Sequence, residues 1–125
     1  MLAEEKLVAF LATSDAAAAR AFYEGVLGLT FAGDNGHLVY FDSGPARIAL
    51  QKIDKVTPKV GTAMGWNVTD LRGVMRRLIG RGVVFERYEG MEQDDLGVWS
   101  PAGPTTGVAW FKDPDGNLLS LSVAD

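Results

Sequence analysis

Apolar and polar residues alternate along this chain in two rounds of the same pattern. The first round opens with Val8-Ala9-Phe10-Leu11-Ala12-Thr13, the second with Ala63-Met64-Gly65-Trp66-Asn67-Val68. Both are short, mostly apolar runs that read as strands. Each ends in a hydroxyl-Asp pair, Ser14-Asp15 and Thr69-Asp70. Such residues cap helices, because their side-chain oxygens accept orphan amide protons of the first turn. A helical period follows each pair. Ala19, Phe22, Tyr23, Val26 and Leu27 share one face in the first round; Leu71, Val74, Met75, Leu78 and Ile79 do so in the second. Gly28 and Gly80/Gly82 stop the helices. Leu29-Thr30-Phe31 and Val83-Val84-Phe85 then begin strands.

The rest of each round is strand-like. His37–Phe41 and Arg47–Lys52 flank the turn cluster Asp42-Ser43-Gly44-Pro45, and Gly107–Lys112 and Leu118–Val123 flank Asp113–Asn117. The chain therefore reads as two βαβββ modules, about 5–53 and 62–125. The linker spans about 54–61, with Pro58 and Gly61 as breakers. One module cannot cover both faces of its sheet, so the expectation is a single α+β domain over residues 1–125.

Two motifs carry a resemblance. Arg20-Ala21-Phe22-Tyr23-Glu24-Gly25-Val26-Leu27-Gly28-Leu29 resembles the first-helix signature of the vicinal-oxygen-chelate superfamily (glyoxalase, bleomycin resistance, dioxygenase). Trp110–Leu121 with its Asp-Pro-Asp-Gly-Asn turn is similar to that superfamily's closing hairpin. The resemblance covers nearly the whole chain. It implies an eight-stranded, cup-shaped sheet with helices on the convex face, ligand in the cup, and a homodimer.

The resemblance also implies four metal-ligand slots, in which metal-dependent members commonly place His, Glu or other donors. Here the slots hold Val8, Ala49, Ala63 and Ser120. Three cannot coordinate through a side chain, and Ser120 is a poor neutral donor. A Zn, Fe or Mn ion needs imidazole, thiolate or carboxylate. No metal and no cofactor is expected. The single histidine, His37, reads as an exposed strand-edge residue. Metal-dependent glyoxalase, extradiol dioxygenase and fosfomycin-transferase chemistry loses its electrophile.

Period two nominates the cup lining: Val8, Phe10 and Ala12; Arg47, Ala49 and Gln51; Gly65 and Asn67; Val108 and Trp110; Leu118, Ser120 and Ser122. An apolar, aromatic lining with a few polar groups suits a small organic molecule. The ligand-binding candidates are Phe10, Arg47, Gln51, Asn67, Trp99, Trp110 and Ser120. Trp110 can stack on a planar ligand and Arg47 can meet a carboxylate or carbonyl. Core filling of a collapsed cup by Phe10 and Trp110 has the same signature, whereas Trp66 falls on the helix side.

Charge adds one feature. Glu86, Glu89, Glu92, Asp94 and Asp95 lie close together with Arg87 as the only base among them. A solvated loop explains such a run. The superfamily's drug-binding members suggest a sharper version, an acidic, aromatic groove for a cationic planar compound. The net charge of −4 disfavours nucleic acid. The chain has no cysteine, so thiolate chemistry and disulfides are excluded. No apolar run reaches the roughly 20 residues a membrane span requires, and the N-terminus has no signal-peptide core. A cytoplasmic protein without membrane partners is expected.

Other chemistries are poorly supported. Asp113–Asn117 lacks the spacing of an EF-hand loop, no glycine-rich phosphate loop is present, and Ser43, Ser100 and Ser120 have no neighbouring histidine. Tyr88, Glu86 and Glu24 remain as candidate acid-base groups for metal-free catalysis, and no sequence feature picks one of them out. The expected function is metal-independent binding of a small organic ligand, aromatic or cationic. The alternative is a lyase, isomerase or dioxygenase-like enzyme of the same superfamily.

Overall fold

A computed structural model describes residues 1–123. The chain divides into two compact units, Met1–Pro58 and a second beginning at Lys59, so the break falls inside the expected linker.

The first unit runs β1 (Val8–Thr13), α1 (Ala16–Arg20), β2 (Thr30–Asp34), β3 (Leu38–Ser43) and β4 (Ala46–Lys52). Asp15 caps α1 as expected: its carboxylate accepts from the Ala18 amide at 3.0 Å. Beyond Arg20 the helix widens into a π-helical stretch, Ala21–Val26. The Leu27 amide donates to the Phe22 carbonyl, five residues back, at 2.9 Å. Gly28, at φ 76°, supplies the left-handed stop. The sheet order is β1-β4-β3-β2, with β1 parallel to β4 and the other pairs antiparallel.

Paired residues in a sheet share a face. The face toward the helix carries Phe41 and Ile48, both buried. Tyr23, with no exposed surface, meets Phe41 at 5.6 Å between ring centroids. The opposite face carries three rows: Val8, Arg47 and Asp42; Phe10, Ala49 and Tyr40; Ala12, Gln51 and Leu38.

The second unit contains β5 (Met64–Asn67), α2 (Leu71–Gly80), β6 (Gly107–Lys112) and β7 (Leu118–Val123). Asp70 caps α2 through the Gly73 amide at 3.1 Å. The sheet order is β5-β7-β6, with β5 parallel to β7. Leu71, Met75 and Leu78 of α2 are buried, as are Ala109, Phe111, Leu119 and Leu121 on one side of the sheet. Ile79, expected on the same helix face, is 43% exposed.

The described residues form seven strands in sheets of four and three, where the repeat led to eight in one sheet. The difference lies at Val83-Val84-Phe85. Val83 and Phe85 are buried and Val84 is 77% exposed, so the side chains alternate as in a strand. The backbone makes one bond toward β6, Glu86 N–H to the Trp110 carbonyl at 2.7 Å, and then departs. The following loop has two isolated bridges, Gln93–Trp99 within the loop and Trp99–Val108 to β6. Among the described residues, no helix is long and apolar enough to cross a membrane.

Candidate functional site

The side of the second sheet away from its buried face carries Gly65, Ser120 and Trp110 in one row and Asn67, Ser122 and Val108 in the next. Gly65 permits the close approach of β5 to β7. A Cβ there would stand 2.1 Å from Ser120 Oγ and 2.8 Å from the Ser120 carbonyl oxygen. Trp110 is half-buried, and its indole Nε1–H donates to Thr62 Oγ1 at 3.1 Å. The Tyr88 ring meets it edge-on at 5.6 Å, and Trp99 lies tilted against it at 6.1 Å. Trp99 is held in place by backbone bonds with Val108, 2.9 Å in each direction. Three aromatic rings from β6 and the long loop thus converge beside Ser120. Asn67 is exposed on the same side of the sheet.

Tyr88 joins this cluster unexpectedly, since its sequence context suggested only an acid-base role. Partial burial raises its phenol pKa, the Glu86 carboxylate raises it further, and Lys112 opposes. At neutral pH it is therefore a hydrogen-bond donor and an apolar wall.

The acidic stretch is largely structural. Asp94 organises the loop. One carboxylate oxygen accepts from the amides of Leu96, Gly97 and Val98 at 2.9–3.1 Å, and the other from Arg72 Nε and Nη2 at 3.1 and 2.8 Å. Burial pushes its pKa up; the Val98 amide, Arg72 and the Leu96 amide outweigh that and leave it lowered. Arg87 donates to the carbonyls of Asp94 and Asp95. Glu86 lies 3.4 Å from Lys112. Glu89, Glu92 and Asp95 remain exposed.

In the first unit, Phe10, Arg47 and Gln51 share one sheet face. Phe10 is 65% exposed, so it is not core filling. Arg47 is already engaged: its guanidinium forks onto Asp42, Nε to Oδ1 at 2.7 Å and Nη2 to Oδ2 at 3.1 Å. Lys6 lies 3.5 Å from the same carboxylate. The Arg47 hydrogen bonds hold Asp42 below the usual carboxylate range, and Asp42 in turn raises Arg47. Tyr40 completes the face, with Arg47 Cζ 5.5 Å from its ring centroid. Period two over His37–Phe41, with Val39 and Phe41 facing the core, was the signal for Tyr40. Gln51 is exposed at the far end of the face.

The four slots of the superfamily's metal site do not suit a cation. Val8 and Ala49 share the face of the first sheet away from its helix, where Ala49 is buried; Ala63 precedes β5, and Ser120 lies in β7 beside Gly65. One neutral hydroxyl is the only side-chain donor they offer. Among the described residues no group of three or more His, Asp or Glu gathers elsewhere. His37 is exposed next to β3, and Glu24 is bonded to Arg20 at 2.9 Å.

Comparison with known proteins agrees with the two motifs. The model of the Glyoxalase/Bleomycin resistance protein/Dioxygenase superfamily matches residues 7–121. TnmS3, an antibiotic binding protein from Streptomyces sp. CB03234, has a similar structure. Its TM-score is 0.73 at 19% identity, over 100% of this chain and 99% of that one. The fosfomycin resistance protein FosX from Listeria monocytogenes gives a TM-score of 0.76 at 12% identity, covering 100% and 96%. Lactoylglutathione lyase from Agrobacterium tumefaciens gives 0.68 at 20% identity, covering 97% and 94%. No curated protein matches the sequence. The chain belongs to the glyoxalase/bleomycin resistance protein/dioxygenase superfamily.

Proposed function

We propose that the protein binds a small, flat organic molecule without a metal ion, and that Trp110, Trp99 and Tyr88 hold it. The observation that carries this reading is the state of Trp110. Its indole is oriented by Thr62 and flanked by two further rings, yet it stays half open rather than packed away. A pre-oriented aromatic surface loses little entropy when a ring stacks on it. The donor-poor residues at the four slots support metal independence. Among structural neighbours, the one described as an antibiotic binding protein is consistent with sequestration. The enzymatic alternative has less support, because Glu24 and Glu86 each face a cation and Tyr88 holds its proton. The exposed Glu89, Glu92 and Asp95 leave room for a cationic substituent near the rings. Single-domain behaviour, a homodimer and a cytoplasmic location belong to the same proposal.

Titration of the tryptophan fluorescence with planar aromatic compounds, acridines among them, tests it. Saturable quenching is expected, together with a loss of about 2 kcal/mol, roughly thirtyfold in Kd, in Trp110→Ala. Absence of quenching by every aromatic compound tried, or dependence of binding on a metal that copurifies at one per chain, overturns it.

A further inference from the structure

A cavity of about 490 Å³ lies in the second unit between α2 and the long loop. It is lined by Arg72 of α2 and by Glu92, Gln93, Asp94, Val98 and Ser100 of the loop. Its volume falls in the range of small-molecule sites. It is separate from the tryptophan cluster, because Trp99 turns toward Trp110 while its two neighbours turn toward α2. Val98 Cγ1 and Ser100 Oγ lie 2.7 and 3.2 Å from where a Cβ on Gly107 would stand. Leu71 Cδ2 of α2 lies 3.2 Å from the same point.

Most polar groups of this lining are already engaged by the fold. Gln93 Nε2 donates to the carbonyls of Glu86 and Gly97, and its Oε1 accepts from the Tyr88 amide. Both carboxylate oxygens of Asp94 are taken, one by loop amides and one by Arg72. Three groups are left over. Arg72 uses Nε and Nη2 on Asp94, and its Nη1 has no partner among the described residues. Glu92 has none either, and of the loop's exposed carboxylates Glu89, Glu92 and Asp95 it is the one that lines this cavity. Ser100 Oγ is buried and makes no hydrogen bond, an unfavourable arrangement that a ligand's polar atom relieves. Ser100 as a whole is only half-buried, and with no bond to hold it the hydroxyl reaches a ligand by rotation about Cα–Cβ.

The remainder is one guanidinium edge, one carboxylate and one hydroxyl that both donates and accepts. Glu92 repels a simple anion. A simple amine answers Glu92 and leaves the guanidinium edge unused. A zwitterion satisfies both. We infer that this cavity is a site for a free α-amino acid with an uncharged side chain. Its carboxylate meets Arg72 and Ser100, its ammonium meets Glu92, and its side chain lies against Pro104.

Calorimetry on the intact protein with leucine, 4-methylpentanoate and 3-methylbutylamine tests the inference. The second compound is leucine without its ammonium, and the third is leucine without its carboxylate. Leucine is expected to bind roughly tenfold or more tighter than either. Glu92→Gln should remove the advantage over 4-methylpentanoate; its side chain is exposed and unbonded, so folding is retained, which a melting curve checks. Ser100→Ala should weaken leucine binding by roughly threefold to tenfold while leaving the melting temperature unchanged or raised, because the hydroxyl has no bond to lose. Trp110→Ala, in which ring binding at the tryptophan cluster is expected to fail, should keep its leucine binding, so the two readings fail separately. The inference is overturned by absence of leucine binding at about 10 mM, or by equal or tighter binding of either partial analogue. Leucine binding indifferent to both Glu92→Gln and Ser100→Ala, or lost in Trp110→Ala, overturns it as well.

Discussion

Replacing Asp94 by Ala removes five hydrogen bonds at once, three from loop amides and two from Arg72. Each bond to a charged group contributes about 1.5–3 kcal/mol when well buried. The side chains of Asp94 and Arg72 are 37% and 38% exposed, so water replaces much of what is lost. Surface ion pairs contribute about 0–1 kcal/mol. The amide bonds lie deeper and satisfy a loop with no ladder of its own. A net cost of about 2 kcal/mol follows, or roughly 8 °C in Tm for a chain of this size. Asp94→Asn keeps an acceptor for the amides and loses the charge, so it should cost about half as much.

The effect also has a pH signature. The Asp94 pKa is lowered in the folded protein from 3.8. A lowered carboxylate contributes stability that is complete above its unfolded pKa and is lost as pH falls through its folded pKa. The gap between the unsubstituted protein and Asp94→Ala should therefore be widest near pH 7 and shrink below about pH 4. Urea unfolding at a series of pH values measures the gap, and amide exchange at Leu96, Gly97 and Val98 localises it. A gap under about 0.5 kcal/mol at pH 7, or one that stays constant into acid, refutes the assignment of Asp94 as the loop's organiser.

Three further outcomes are expected. Gly65→Ala should destabilise by about 2–3 kcal/mol, since its Cβ would overlap both the hydroxyl and the backbone of Ser120; adding Ser120→Gly should recover only part, and full recovery in urea unfolding would contradict the backbone clash. Asp113→Ala should cost about 2–3 kcal/mol, because the buried carboxylate accepts from the amides of Asp115 and Asn117 and from the Asn117 side chain; a melting temperature unchanged within error would show that the turn holds without it. Tyr88 should titrate above 10.0, and Glu86→Gln should lower that value; spectrophotometric titration compared with Tyr88→Phe isolates its phenol, and no change on removing Glu86 would refute the coupling.

Local chemistry in the sequence anticipated much of the fold. Asp15 and Asp70 cap their helices because capping needs only a side chain and an amide three residues on. Gly107–Lys112 and Leu118–Val123 pair as expected because their turn lies between them. Periodicity was less informative where it reports burial alone. Val83 and Phe85 point inward as in a strand, but an alternating pattern does not say whether the backbone finds a partner. The π-helical stretch was hidden for a related reason, as apolar spacing does not distinguish a bond four residues back from one five back. At the candidate sites, period two placed Phe10, Arg47 and Trp110 on the open faces. It did not reveal that Arg47 is held by Asp42, because that needs the β3–β4 register. Nor did it reveal that Asp94 binds Arg72, because those residues are far apart in the chain.

The parallel pairing in each unit has a consequence for the order of assembly. In both units the first strand pairs with the last, β1 with β4 and β5 with β7. A strand of this kind cannot settle until the chain has made its helix and returned, so loop closure precedes any gain from the pairing. On the ribosome the first unit has all its strands once Lys52 has emerged. Gly65 and its neighbours must wait for Ser120, exposing an incomplete sheet throughout synthesis of the long loop. The Asp113–Asn117 turn then brings in β7 as both the partner of β6 and the missing neighbour of β5, so the second unit closes in one late step.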